Sequence, residues 1–257
     1  MERRPGSEGG AVVSPIDLSS WFAGIPAGNE LLWFIMLALN FLAILVVYRR
    51  FGRIGLYAWV PISVIIANIQ VIKTVELFGL TASLGNIVYA TSFLATDILS
   101  ENYGKKDAGK AVWIGFVSLA ALTVFMNLAL FFKPSPIDFA QESMANLYAL
   151  LPRIALGSFV AYGVSQAHDV WAYALMKQRR PEGRWIWIRN NVSTMISQAI
   201  DSIIFVTIAF VGIVPIEEFW ELVITTYVLK WIVAAADTPL VYLAARWMRK
   251  GRILEDS

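Results

Sequence analysis

The chain contains no cysteine, which removes disulfides, thiolate metal sites and a cysteine nucleophile from consideration. A single histidine, His168, excludes a multi-histidine metal centre. Charged residues make up only 16% of the 257 positions and the formal net charge is +2, which gives no ground for a nucleic-acid partner. No glycine-rich loop ending in Lys-Ser or Lys-Thr occurs, so the chain cannot itself hydrolyse ATP, and no cofactor motif emerges. The first 30 residues, with glycine, proline and acids scattered among them, lack the apolar core of a signal peptide. They read as a flexible arm, with a short interfacial piece around Trp21–Ile25.

What is present is apolar length. Hydrophobic residues account for 58% of the chain, and several uninterrupted stretches exceed 18 residues, the length a helix needs to cross a bilayer. Seven such segments are expected, at 31–49, 54–72, 80–100, 108–132, 151–177, 191–213 and 221–246. Their connectors alternate in charge. Of the 21 basic residues, 15 fall in the connectors after the first, third and fifth segments and in the tail. The positive-inside rule then places the C-terminus in the cytoplasm and the N-terminus outside. The expected fold is an all-α, multi-pass bundle in the cell membrane. It divides into an N-terminal arm (1–30), a transmembrane domain (31–247) and a cytoplasmic tail (248–257). The first segment, greasy all round apart from Asn40, reads as a lipid-facing helix beside the core. The third is rich in Thr, Ser and Asn, should be central, and invites a break or re-entrant turn near Gly85-Asn86. Pro61 and Pro239 should kink their helices.

Five ionisable side chains interrupt these segments: Asp97, Asp169, Asp201, Lys230 and Asp237. A charged group at the centre of a spanning helix costs about 2.5–3.5 kcal/mol on insertion-based scales, so the five together cost on the order of 10 kcal/mol unless they meet one another or water. Helical spacing shows how they can meet. Asp97 and Glu101 are one turn apart on one face, with Asn86 three turns away on nearly the same side. Gln166, Asp169 and Tyr173 follow an i, i+3, i+7 pattern, with Tyr162 one turn further up. Gln198 and Asp201 cluster with Ser197. Tyr227, Lys230 and Asp237 share a face of the last segment. Counting from the segment ends puts Asp169, Asp201 and Lys230 near the bilayer middle, the depth at which a small-molecule site would be built from separate helices. Each feature also has a plain structural reading. Lys230 with one aspartate would serve equally as a helix-locking ion pair, and Asp97 with Glu101 as an interfacial cap. His168 would serve as a helix–helix hydrogen bond, and the inward tryptophans Trp171 and Trp231 as core packing.

Several stretches carry a known pattern: FLATDILSENYGKK (93–106), RIALGSFVAYGVSQAHDV (153–170), SQAIDSIIFVTIAFVG (197–212) and TYVLKWIVA (226–234), together with Asn68 and Lys73. With its Asp-Ile-x-x-Glu-x-Tyr-Gly element, the chain resembles the queuosine precursor transporter family of vitamin uptake transporters over about residues 54–247. The first segment lies outside the resemblance as an added helix on a six-helix core. Many relatives carry a proline shortly before the Phe-Leu-x-x-Asp element, where this chain reads Tyr89-Ala90-Thr91-Ser92.

The resemblance implies import of 7-deazaguanine bases, such as 7-cyano- or 7-aminomethyl-7-deazaguanine or queuine. The residues suit such cargo. A guanine-like edge offers adjacent N–H donors to a carboxylate, and a carbonyl to an amide or Lys. An aminomethyl arm would want a second carboxylate. On this basis Asp97 and Asp201 are expected on the base, with Glu101 nearby. Asn86, Gln166 and Gln198 would serve as orienting amides, and Tyr162, Phe205, Trp171 or Tyr227 as stacking faces. Lys230 with Asp169 forms the expected coupling pair, with Asp237 in support. Secondary transport, driven by protons or facilitative, is the simplest mechanism. The alternatives are a substrate-binding subunit for another vitamin or nucleobase that borrows a separate ATPase, and an intramembrane enzyme. The lipid bilayer and a small-molecule base are the expected partners, and a homodimer is compatible with the sequence.

Overall fold

The computed structural model describes residues 28–179 and 186–254, with the side chains of 166–167, 169–170, 173–174, 177–179 and 186–194 outside that description. In chain order the elements are α1 (Asn29–Gln70), β1 (Thr74–Leu77), β2 (Leu80–Ser83), α2 (Gly85–Asn102), α3 (Lys105–Leu130), α4 (Gln141–Tyr148), α5 (Leu151–Arg179), α6 (Ile186–Phe210) and α7 (Ile216–Arg249). Among the described residues, four helical stretches are long and apolar enough to cross a membrane: Asn29–Gln70, Lys105–Leu130, Gln141–Ser165 and Ile216–Arg249.

The 42 residues of α1 would extend about 63 Å if straight, twice the thickness of a bilayer core. They do not run straight. Gly52 adopts φ 53°, ψ −134°, outside the helical region. Just beyond it the chain returns so closely that a Cβ on Gly55 would lie 2.8 Å from the Val47 carbonyl oxygen. The first two expected segments are thus the two arms of one element folded at a glycine. The first arm is not wholly lipid-facing. Trp33, Leu37, Phe41, Ile44 and Tyr48 form a buried stripe at helical spacing, while Leu39, Leu42 and Val46 on the other side are exposed.

The third segment begins later than its apolar run suggests. Residues 80–83 are not helical but form β2, paired antiparallel with β1 so that Thr74 faces Ser83 and Leu77 faces Leu80. The two-residue turn between them, Phe78-Gly79, has φ 54° and 77°, the paired positive angles of a hairpin turn. The hairpin is a local departure from an all-α fold. It is tied to its surroundings by Asn29 Nδ2 to the Glu76 carbonyl (2.9 Å), the Phe78 N–H to Glu30 (2.9 Å) and the Thr81 N–H to Glu221 (2.8 Å). Gly85 then opens α2 against α1 so tightly that a Cβ there would stand 2.6 Å from the Ala67 carbonyl oxygen. The short helix α4 in the connector after α3 was not expected from the sequence. Pro61 and Pro239 lie inside helices that continue past them.

α2 is the central element. Ile87, Leu94, Ala95, Ile98 and Leu99 are fully buried in a core shared with both arms of α1, with α3 and with α7. It ends where the Tyr103 and Gly104 N–H groups both reach the Leu99 carbonyl (2.8 and 2.9 Å), Gly104 at φ 95° supplying the left-handed residue that closes a helix. The first connector, the α2–α3 turn and the C-terminal tail meet at one end of the molecule. There Arg53 stacks over Tyr103 and pairs with Asp107 (3.8 Å), Arg49 covers Trp247, and the Leu254 N–H bonds the Arg49 carbonyl (3.0 Å). At the other end the Arg153 guanidinium donates to the Ile208 and Val211 carbonyls, satisfying groups that the end of α6 leaves open.

Candidate functional site

Polar residues enter the bundle interior from α2, α5, α6 and α7. On α2, Asn86, Tyr89, Phe93 and Asp97 fall at i, i+3, i+7 and i+11, a single helix face, and all four line a cavity of about 530 Å³. Its other wall comes from α7 through Lys230, Trp231, Ala234 and Asp237, with Gln198 from α6. A cavity of this size falls in the range of small-molecule sites. A smaller hollow of about 50 Å³ adjoins it and shares Asn86, Tyr89 and Lys230. There the lining adds Asn68 from α1, Ser158 from α5, Asp201 and Phe205 from α6, and Thr226 from α7.

Between the two spaces stands an ion pair. Lys230 Nζ on α7 donates to Asp201 Oδ2 on α6, both side chains largely withdrawn from solvent. The other Asp201 oxygen accepts from Ser165 Oγ at 3.4 Å. In a medium that cannot solvate either charge, the pair is tolerable because each neutralises the other. Asn86 Nδ2 points to Thr226 Oγ1 at 3.3 Å, linking α2 to α7 beside it.

The remaining expected residues are distributed as follows. Asp97 opens into the large cavity, and Asp237, buried, lines the same space. Neither makes a hydrogen bond or ion pair among the described residues. Phe205 lies on the small hollow. Tyr162 sits against Phe116 (ring centroids 5.0 Å apart) in a separate recess that Tyr89 also lines. Glu101 is exposed near the end of α2 and lines neither space. Tyr227 packs on Trp231 at 6.2 Å without lining either. Trp171 is exposed, with His168 beside it at 5.8 Å. His168 itself bonds Ser197 Oγ at 3.0 Å and so bridges α5 and α6. The side chains of Gln166 and Asp169 lie outside the described residues. Lys230, expected beside Asp169, has Asp201 as its partner here.

Tyr89 is the residue that sequence reasoning passed over. It borders the large cavity, the small hollow and the Tyr162 recess, and its ring meets Phe93 edge-on at 5.1 Å. The only signal for it was its place one turn after Asn86. Asn68 lines the small hollow and gives its amide to the Val64 carbonyl (2.8 Å).

A helical membrane bundle with an ion pair beside an interior cavity fits the class of small-molecule transporters. Comparison with known proteins narrows it. The family described as "Putative vitamin uptake transporter" matches residues 83–244, which hold every residue of the ion pair and of the large cavity. The chain is 42% identical over 218 residues to the "Probable queuosine precursor transporter" of Bacillus subtilis, covering 85% of this chain and 95% of that protein. It is 29% identical over 144 residues to the "Queuosine precursor transporter" of Escherichia coli (56% of this chain, 62% of the other). A Haemophilus influenzae relative, also described as a "Probable queuosine precursor transporter", is 29% identical over 133 residues, 52% of this chain and 54% of the other. No solved structure matches the chain. The chain belongs to the queuosine precursor transporter family of vitamin uptake transporters, and it is a multi-pass protein of the cell membrane.

Proposed function

We propose that the protein imports 7-deazaguanine precursors of queuosine by secondary transport. In this reading seven helical passes place the C-terminus and its basic end in the cytoplasm, as the connector charges suggest. The observation that carries it is the Asp201–Lys230 pair: Lys230 lines a cavity large enough for a bicyclic base, and Asp201 lines the small hollow that adjoins it. A guanine-like edge presents the complement of that pair, N–H donors for the carboxylate and a carbonyl for the ammonium, with Asn86 in reach as an orienting amide. The rings of Tyr89 and Phe205 supply flat apolar walls. A base docking there competes with the ion pair for the same hydrogen bonds. Opening that pair links occupancy to a change in helix contacts, and an incoming proton at Asp201 would open it in the same way.

The test is uptake into proteoliposomes loaded with this protein, with labelled 7-cyano-7-deazaguanine as cargo. Accumulation should fall at least tenfold in Asp201→Asn, about the loss of one charge-assisted hydrogen bond. Accumulation that persists in that variant would overturn the assignment of the pair. Uptake unchanged after the proton gradient is collapsed would remove the proton drive while leaving import in place.

A further inference from the structure

Among the described residues, the two joined spaces are lined by more carboxylates than cations. Asp97, Asp237 and Asp201 line the two joined spaces, against a single ammonium, Lys230, among the described residues. Lys230 is committed to Asp201. That leaves Asp97 and Asp237 facing the same void with no cation from the described residues between them. Asp237 is only 6% exposed, yet no hydrogen bond reaches it from any described residue. Its immediate neighbours cannot supply one. The Thr238 hydroxyl donates to the Ala234 carbonyl (2.9 Å), and Pro239 has no N–H. On the same cavity, the Trp231 indole N–H is buried and has no partner among the described residues. A carboxylate with no protein donor, turned into an interior cavity, has to find its hydrogen bonds in whatever occupies that cavity.

We infer that Asp97 and Asp237 form a second subsite, one that takes a protonated amine carried on the cargo. The inference rests on the import reading above and extends it to which base the protein selects. An ammonium has three donors and no acceptor, so one such group can bridge two carboxylates and remove their mutual repulsion at once. The spacing suits a single ligand. Lys230 and Asp237 lie seven residues apart on α7, a rise of about 10 Å, the length class of a bicyclic base bearing one short arm. With its guanine-like edge at the ion pair, such a base extends its substituent towards Asp97 and Asp237. A neutral substituent leaves both carboxylates unmatched.

Two probes that differ only in that arm decide the matter: 7-aminomethyl- and 7-cyano-7-deazaguanine, titrated against the purified full chain in lipid nanodiscs. The wild-type protein should bind the amine at least about tenfold more tightly than the nitrile. Asp237→Asn and, separately, Asp97→Asn should each shrink that ratio by about tenfold, with circular dichroism and gel filtration confirming the fold of each variant. Because Asp97 opens to the cavity, its variant serves even where the Asp237 change disturbs folding. Equal wild-type affinities, or a preference that survives both substitutions, would overturn the subsite and leave the import reading standing. Failure of the wild-type protein to bind either probe would overturn both.

Discussion

Charged residues gather in two places in this molecule, and they are treated differently. At the basic end, Asp107 is surrounded by Tyr57, Arg53 and Lys110, and Arg53 also lies over the Tyr103 ring. Asp107 and the two cations beside it are paired there, and solvent is at hand. In the bundle interior, Asp201 and Lys230 are paired, but Asp97 and Asp237 face a void. Solvent makes the first cluster inexpensive and individually dispensable. Low dielectric makes the second costly and therefore informative. Standing on an interior cavity without full compensation among the described residues marks Asp97 and Asp237 as the charges whose role in binding is worth testing.

That contrast can be broken most forcefully at Lys230. Lys230→Ala leaves Asp201 buried without its cation and should cost about 3–5 kcal/mol of stability, read as a depressed thermal transition in detergent. If the transition holds, the interior pair is no more than a surface pair in disguise. Gly85→Ala comes next. Its new methyl meets the Ala67 carbonyl oxygen at 2.6 Å, so α1 and α2 must separate, at about 1–3 kcal/mol. Because α2 forms one wall of the cavity, ligand affinity should weaken along with stability. Phe78→Asn acts in the opposite direction. It relieves a bulky residue at φ 54° and should stabilise by about 1 kcal/mol without changing ligand affinity. Smallest of all is Arg53→Ala at the basic end, where thermal unfolding should move by about half a kcal/mol and uptake should not change. A large uptake defect in that variant would erase the distinction between the two clusters.

Much of this was readable beforehand, for a definite reason. Helical periodicity reports which side chains share a face, so the alignment of Asn86 with Asp97 and of Lys230 with Asp237 followed from spacing alone. Periodicity does not report how far each helix is rotated about its axis relative to its neighbours. Asp169 and Asp201 were expected at the same depth as Lys230, with Asp169 as its partner; that Asp201 reaches it could not be read from depth alone. The hairpin was hidden for a different reason. Leu80–Ser83 continues an apolar run into α2, and a short apolar stretch looks alike as strand or helix. The signal that was there, Phe-Gly between two four-residue stretches, is weaker than the Asn-Gly that usually marks such a turn. The Asp-Ile-x-x-Glu-x-Tyr-Gly element also proved to serve two purposes. Asp97 faces the cavity, whereas Tyr103 and Gly104 build the turn into α3.

The hairpin binds the start of α1 through Asn29 and Glu30, and the start of α7 through Glu221 and Thr225, whose hydroxyl reaches the Thr81 carbonyl at 2.9 Å. It therefore works as a mechanical strut. A displacement of the leading arm of α1 would be passed at the rim to the helix carrying Lys230 and Asp237, which the Lys230–Asp201 pair ties in turn to α6.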